Sequence, residues 1–243
     1  ALSFSFVQAA SYSDVSSNHW AHDAINYLSQ MGAVEGYTDG SFRPNQSITR
    51  AEFSKIIIEL LGSSATQNTS EVNFMDVSSL HWANEYVKKA SFYMNANRKN
   101  RFYPDADLLR QDAAMAIVNV AGKGNEKYDK KTLDQFTDKE LISEDYEKYI
   151  ALAVGYGLMN GNANGTFNPT GSMTRAEICQ MIYNVYLKSQ EPKKTVVSTS
   201  DDDFIPYSGN IDVTFFPIKK ETQTVKQEEP GVIYVTPIHQ TYS

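Results

Sequence analysis

The sequence predicts a mainly α-helical domain built from three helix-loop-helix units. Two observations carry this expectation: a threefold internal repeat and, inside each unit, apolar residues spaced at three and four, the period of a helix with one buried face. Asp14-Val15-Ser16-Ser17-Asn18-His19-Trp20-Ala21 recurs as Asp76-Val77-Ser78-Ser79-Leu80-His81-Trp82-Ala83. Phe42-Arg43-Pro44 recurs as Phe102-Tyr103-Pro104 and Phe167-Asn168-Pro169. Ile48-Thr49-Arg50-Ala51-Glu52 recurs as Leu108-Leu109-Arg110-Gln111-Asp112 and Met173-Thr174-Arg175-Ala176-Glu177. Stations matched in the same order across the chain define a repeat architecture.

Residues 1–10 are small and apolar, and Val7-Gln8-Ala9 fits the small-x-small rule of a signal-peptidase site, so this stretch reads as a signal-peptide remnant, with an N-terminal strand as the alternative. The first unit spans 11–63. Ala21, Ala24, Ile25, Leu28 and Met31 form the apolar face of its first helix, which Gly32 can end. A glycine-hinged turn follows over 36–41. Thr49 and Glu52 then make a capping box, each side chain bonding the other's backbone amide, and so start the second helix. Ala51, Ile56, Ile57, Leu60 and Leu61 supply its buried stripe.

The second unit, 72–122, is degraded. Its loop over 96–101 has lost both turn glycines and is two residues shorter, and Leu109 replaces the capping threonine at a cost of about 1 kcal/mol. The third unit, 133–187, copies the first with Ile150, Ala153, Val154 and Gly157, then Gly161 and Gly165, then a second box of Thr174 and Glu177. No helix-loop-helix pair buries its face alone, so the three are expected to pack on one another. Residues 188–243 read as a linker and C-terminal extension. Two alternating apolar stretches there, 211–215 and 232–235, are bounded by Pro217, Pro230 and Pro237 and suit short β-strands.

Composition excludes several functions. A formal charge of −7 argues against a nucleic-acid partner, which demands a basic face. No run of 18 apolar residues exists to form a transmembrane segment. One cysteine, Cys179, and four scattered histidines (His19, His22, His81, His239) offer neither a disulfide framework nor a metal cluster. His19 and His81 read as capping or packing groups. The asparagines from Asn160 lack the Glu that an EF-hand needs at its twelfth position, where Gly171 stands. There is no phosphate loop, no nucleophile elbow and no recurring pair of carboxylates, so neither catalysis nor a cofactor is expected.

The pattern Asp-Val-x(3)-His-Trp-Ala, then Gly36-Tyr37-Thr38-Asp39-Gly40-Ser41-Phe42-Arg43-Pro44-Asn45, then Ile48-Thr49-Arg50-Ala51-Glu52-Phe53 resembles the S-layer homology repeat. The resemblance is most specific in the first unit. It implies three repeats packed with pseudo-three-fold symmetry. It also implies a non-catalytic module that binds secondary cell-wall polysaccharide, typically pyruvylated and linked to peptidoglycan, outside a bacterial cell. Two alternatives stand beside it: an assembly module with surface-layer protein partners, and the anchor of a larger extracellular enzyme acting on carbohydrate.

The arginines give an independent pointer. All six (Arg43, Arg50, Arg98, Arg101, Arg110, Arg175) lie between a unit's central loop and the first turn of its second helix. Arg50, Arg110 and Arg175 each follow an N-cap position, where free amides and the helix dipole favour anions. A guanidinium there can hold a carboxylate bidentately, as a pyruvate ketal would offer. Alternatively, each arginine pairs with a neighbouring carboxylate, Asp14, Asp76 or Asp138, and braces two units. Trp20 and Trp82 suit either stacking on a sugar or core filling. Gly36 and Gly161 suit either close approach of a sugar or a turn with positive φ. Arg43 is an extra cation of the first unit.

Overall fold

Each unit folds as a helix pair. The computed structural model describes residues 11–190 apart from 63–64, 66–68, 70–71 and 96–99, with side chains as far as 187. The pairs are α1 (His22–Gln30) with α2 (Arg50–Leu61), α3 (Asn84–Ala90) with α4 (Arg110–Val120), and α5 (Glu144–Gly155) with α6 (Arg175–Gln190). Short 3-10 turns at Lys130–Gln135 and Lys139–Leu141 lead into the third unit. The signal remnant expected at 1–10 and the strands expected within 191–243 lie outside the described residues.

Both capping boxes form. The Glu52 amide donates to Thr49 Oγ1 at 3.2 Å and the Thr49 amide to the Glu52 carboxylate at 2.8 Å. Thr174 and Glu177 repeat the arrangement with the same distances. Leu109 provides no side-chain cap to α4. The second helices are more buried than a one-sided stripe requires. α2 buries Phe53 and Ile58 as well as the expected positions, and α4 buries every residue from Asp112 to Val118.

Packing runs between units rather than within them. α2 packs on α3, α4 on α5, and α6 returns to α1, so the second helix of each unit covers the first helix of the next. The segments just before the second helices meet as antiparallel bridges. There, Ile48 donates its amide to the Met173 carbonyl at 3.0 Å, Met173 to Leu108 at 2.9 Å, and Leu108 back to Ile48 at 2.8 Å. This closed ring of three hydrogen bonds is the pseudo-three-fold axis, sealed by side chains that are at most 2% exposed.

The same cyclic rule satisfies the first helical amides. Arg50 and Ala51 donate to the carbonyls of Ala106 and Pro104 in the second unit. Arg110 and Gln111 donate to Gly171 and Pro169 in the third, and Arg175 and Ala176 to Gln46 and Pro44 in the first. Helix N-termini that would otherwise need water are thus capped by a neighbouring loop.

Candidate functional site

The loops that cap the helices are held by three equivalent aspartates. Asp14 accepts the amides of Phe42 and Arg43, each at 2.7 Å. Asp76 does the same for Phe102 and Tyr103, and Asp138 for Phe167 and Asn168. Arg43, Tyr103 and Asn168 consequently sit in the left-handed region, at φ of 58°, 56° and 59°, a conformation unfavourable to side-chain-bearing residues. Although what burial Asp14 has works against its ionised form, the amides of Phe42 and Arg43 outweigh this and hold its carboxyl below the usual range. Among the described residues, Asp14, Asp76 and Asp138 make no ion pair with Arg50, Arg110 or Arg175, the bracing that one sequence reading offered. They clamp loops inside their own units.

The arginines bridge units instead. Arg50 donates from Nε to the Phe102 carbonyl at 2.7 Å and from Nη2 to the Asn95 carbonyl at 2.6 Å, and its Nη1 makes an ion pair with Asp112 at 2.7 Å. Arg175 donates from Nε to the Phe42 carbonyl and from Nη2 to the Glu35 carbonyl, and makes no ion pair among the described residues. Arg110 donates from Nη2 to the Asn160 carbonyl, its Nη1 faces Met173 Sδ at 3.4 Å, and Glu177 stands 4.0 Å away. Its buried Nε has no hydrogen-bond partner. Burial pushes the Arg110 guanidinium below its usual range, and the charge of Glu177 only partly offsets that. Each guanidinium lies against the phenylalanine of the loop it binds: Phe102, Phe167 or Phe42.

These contacts place the arginines at the junctions between successive units. A cavity of about 880 Å³ is lined by α4, the start of α5 and Arg50, with Tyr103, Tyr146 and Tyr149 as its rings and Asp112 and Asp145 among its acids. In the register fixed by Gly32 and Gly157, Asp145 holds the position of Trp20 and, in the second unit, of Trp82. By the same register, the positions equivalent to Asp145 are Trp82 at the junction of Arg175 and Trp20 at that of Arg110. Neither indole fills the core: they are 58% and 57% exposed, Trp20 stacked on His19 and Trp82 on His81. The two imidazoles accept the amides of Ala21 and Ala83 and so hold the turns that lead into α1 and α3, which have no side-chain cap of their own.

Gly36 and Gly161 do not have positive φ; Gly40 and Gly165 supply that in their turns. A Cβ at Gly36 would lie 2.2 Å from the Tyr12 ring and one at Gly161 would lie 2.4 Å from Phe136. Each glycine thus makes room for an aromatic ring of its own unit. Arg43 is half exposed, stacks on Tyr37 at 3.7 Å and pairs with Asp39 at 3.0 Å. Hydrogen bonds from Ser41 and the Arg43 charge bring the Asp39 carboxyl down to about 2.

Sequence reasoning missed the trio of Arg50, Asp112 and Tyr146, in which the Tyr146 hydroxyl donates to Asp112 at 2.6 Å. The signal was present in two substitutions. Leu109 leaves the N3 acid with no threonine to cap, and Tyr146 replaces the alanine found at positions 21 and 83.

The model described as the S-layer homology domain matches residues 11–54 and 135–179. An amylopullulanase of Thermoanaerobacterium thermosulfurigenes is 33% identical over 183 residues, covering 73% of this chain and 10% of the relative. An S-layer protein of Bacillus licheniformis is 32% identical over 188 residues, covering 76% of this chain and 21% of the relative. A cellulosome-anchoring protein of Acetivibrio thermocellus is 32% identical over 113 residues, covering 44% and 25%. The chain therefore spans a quarter or less of each of these relatives. With three helix pairs closed on a common axis and arginines bridging each pair to the next, the chain belongs to the S-layer homology family.

Proposed function

We propose that this chain is a non-catalytic module that holds a protein at a bacterial cell surface by binding an anionic secondary cell-wall polysaccharide, with a pyruvate ketal as the charged group. What supports the reading is that two exposed tryptophans fall, by repeat register, at the same junctions between units as two arginines whose charge the protein leaves incompletely neutralised. In a chain of formal charge −7, a guanidinium held beside a groove by backbone carbonyls is a selective place for a carboxylate. An exposed indole supplies the apolar face on which a sugar ring stacks.

The first groove joins Arg175, Arg43 and Trp82 beside the loop of Gly36. The second joins Arg110 and Trp20 beside the loop of Gly161. Arg50 marks the third, and Asp14 and Asp76 shape the loops. Residues 11–63, 72–122 and 133–187 are the three repeats in this reading, the middle one diverged. The names of the relatives favour a transferable surface module, because an amylopullulanase and S-layer proteins share it over a fraction of their length. Among the described residues no helix is long and apolar enough to cross a membrane.

The test is co-sedimentation of the full chain with purified walls before and after chemical removal of pyruvate. Retention is expected to drop on the depyruvylated walls. Trp20→Ala and Trp82→Ala, at exposed positions, are expected to weaken retention roughly 3- to 10-fold each while leaving stability within about 0.5 kcal/mol. Equal retention on both wall preparations would remove the ketal from the reading.

A further inference from the structure

The three arginine stations are chemically unequal, and one of them alone among the described residues holds a carboxylate at hydrogen-bond distance. At α2 and α6 the N3 glutamate is held in its capping box by Thr49 or Thr174. Among the described residues Arg175 then bonds only carbonyls, and Arg110 sees Glu177 at 4.0 Å. At α4 there is no capping threonine, so Asp112 is not engaged at the helix terminus. It turns to Arg50 at 2.7 Å, with both side chains 8% exposed, and is fixed there by the Tyr146 hydroxyl. In the same groove Asp145 stands where the other units have an exposed tryptophan.

We infer that Asp112 is a built-in carboxylate ligand of Arg50, so that the groove between the second and third units does not take an anionic sugar while the grooves of Arg110 and Arg175 do. The inference rests on the anionic-glycan reading proposed above and divides its sites. An external carboxylate would have to displace one already tethered within hydrogen-bond distance. It would also have to leave Asp112 buried without its counter-charge, the most unfavourable arrangement for a charged pair. Asp107 and Asp145 line the same cavity and set two more negative charges against its second cation, Arg101. Leu109, Asp112, Asp145 and Tyr146 therefore act together: one frees the acid, one supplies it, one adds negative charge and one holds the acid in place.

The experiment uses the full chain labelled with nitrogen-15, titrated with a 4,6-pyruvate ketal of a methyl hexoside and, separately, with the parent hexoside. The Nε–Hε signals of the arginines are the readout. The ketal is expected to shift Arg110 and Arg175 and to leave Arg50 unmoved. In Asp112→Asn, which keeps the side-chain shape and removes its charge, Arg50 is expected to respond as well, and the number of ketals bound per chain rises from two to three. A response of Arg50 in the unaltered chain equal to the other two overturns the inference and leaves the anionic-glycan reading standing. No gain at Arg50 in a folded Asp112→Asn chain also overturns it. If no arginine responds to the ketal in either protein, the reading on which the inference rests fails. Should the variant not fold, the unaltered chain alone decides through Arg50.

Discussion

A single carboxylate at Asp14 fixes a loop that serves two units. It binds two successive amides, holds Arg43 at positive φ, and so sets the Pro44 and Gln46 carbonyls that cap α6. Asp14→Ala removes two charge-assisted bonds and is expected to destabilise the chain by about 2 kcal/mol, measured by urea unfolding. Because the folded Asp14 carboxyl titrates below its ordinary value, its contribution is present above the unfolded pKa of about 3.8 and is lost as the pH falls through the lower folded value. Asp39, at about 2, acts in the same sense. Stability is therefore expected to fall between pH 4 and pH 2, and the fall to be shallower in Asp14→Asn. The aspartate was legible as a repeated residue. Its partner was not, because a carboxylate near an arginine in sequence says nothing about which amides the fold brings to it.

Among the elements, the second helices carry the core, and their starting residues differ in kind. α2 and α6 have closed capping boxes, whereas α4 has none. Thr49→Ala is expected to cost about 1 kcal/mol by thermal or urea unfolding, since it leaves the Glu52 amide without its side-chain acceptor. The sequence made both boxes visible because a cap depends only on residues three apart. It also made the missing cap at Leu109 visible. What the freed Asp112 would do was hidden, since its partners Arg50 and Tyr146 lie 62 and 34 residues away. Helical periodicity likewise located the second helices but understated their burial. A stripe counts one face, whereas α2 and α4 are enclosed by neighbours on several sides.

Across the whole molecule, stability depends on cyclic closure. The ring through Ile48, Leu108 and Met173 needs all three units, and so do the arginine bridges. A fragment of residues 11–122 would leave Ile48 without the Met173 carbonyl, Arg110 without the Gly171 carbonyl, and the core face of α4 without α5. That fragment is expected to lack a cooperative thermal transition by circular dichroism, whereas residues 11–190 show one. The same closure explains why the grooves are unequal: each draws residues from all three units, so a change in one repeat alters a site shared with the others.

The sequence by itself determined the number of units, the helix pairs, the capping boxes and the concentration of arginine at one station, because these are local patterns or repetitions. Only the tertiary structure decided that the arginines bind carbonyls of the next unit, that Gly36 and Gly161 make room for aromatic rings, and that Asp112 sits on Arg50. Those contacts join residues as far apart as Glu35 and Arg175, 140 positions along the chain. They exist because three repeats close into a ring, and the order of residues within one repeat does not specify which neighbour will complete it.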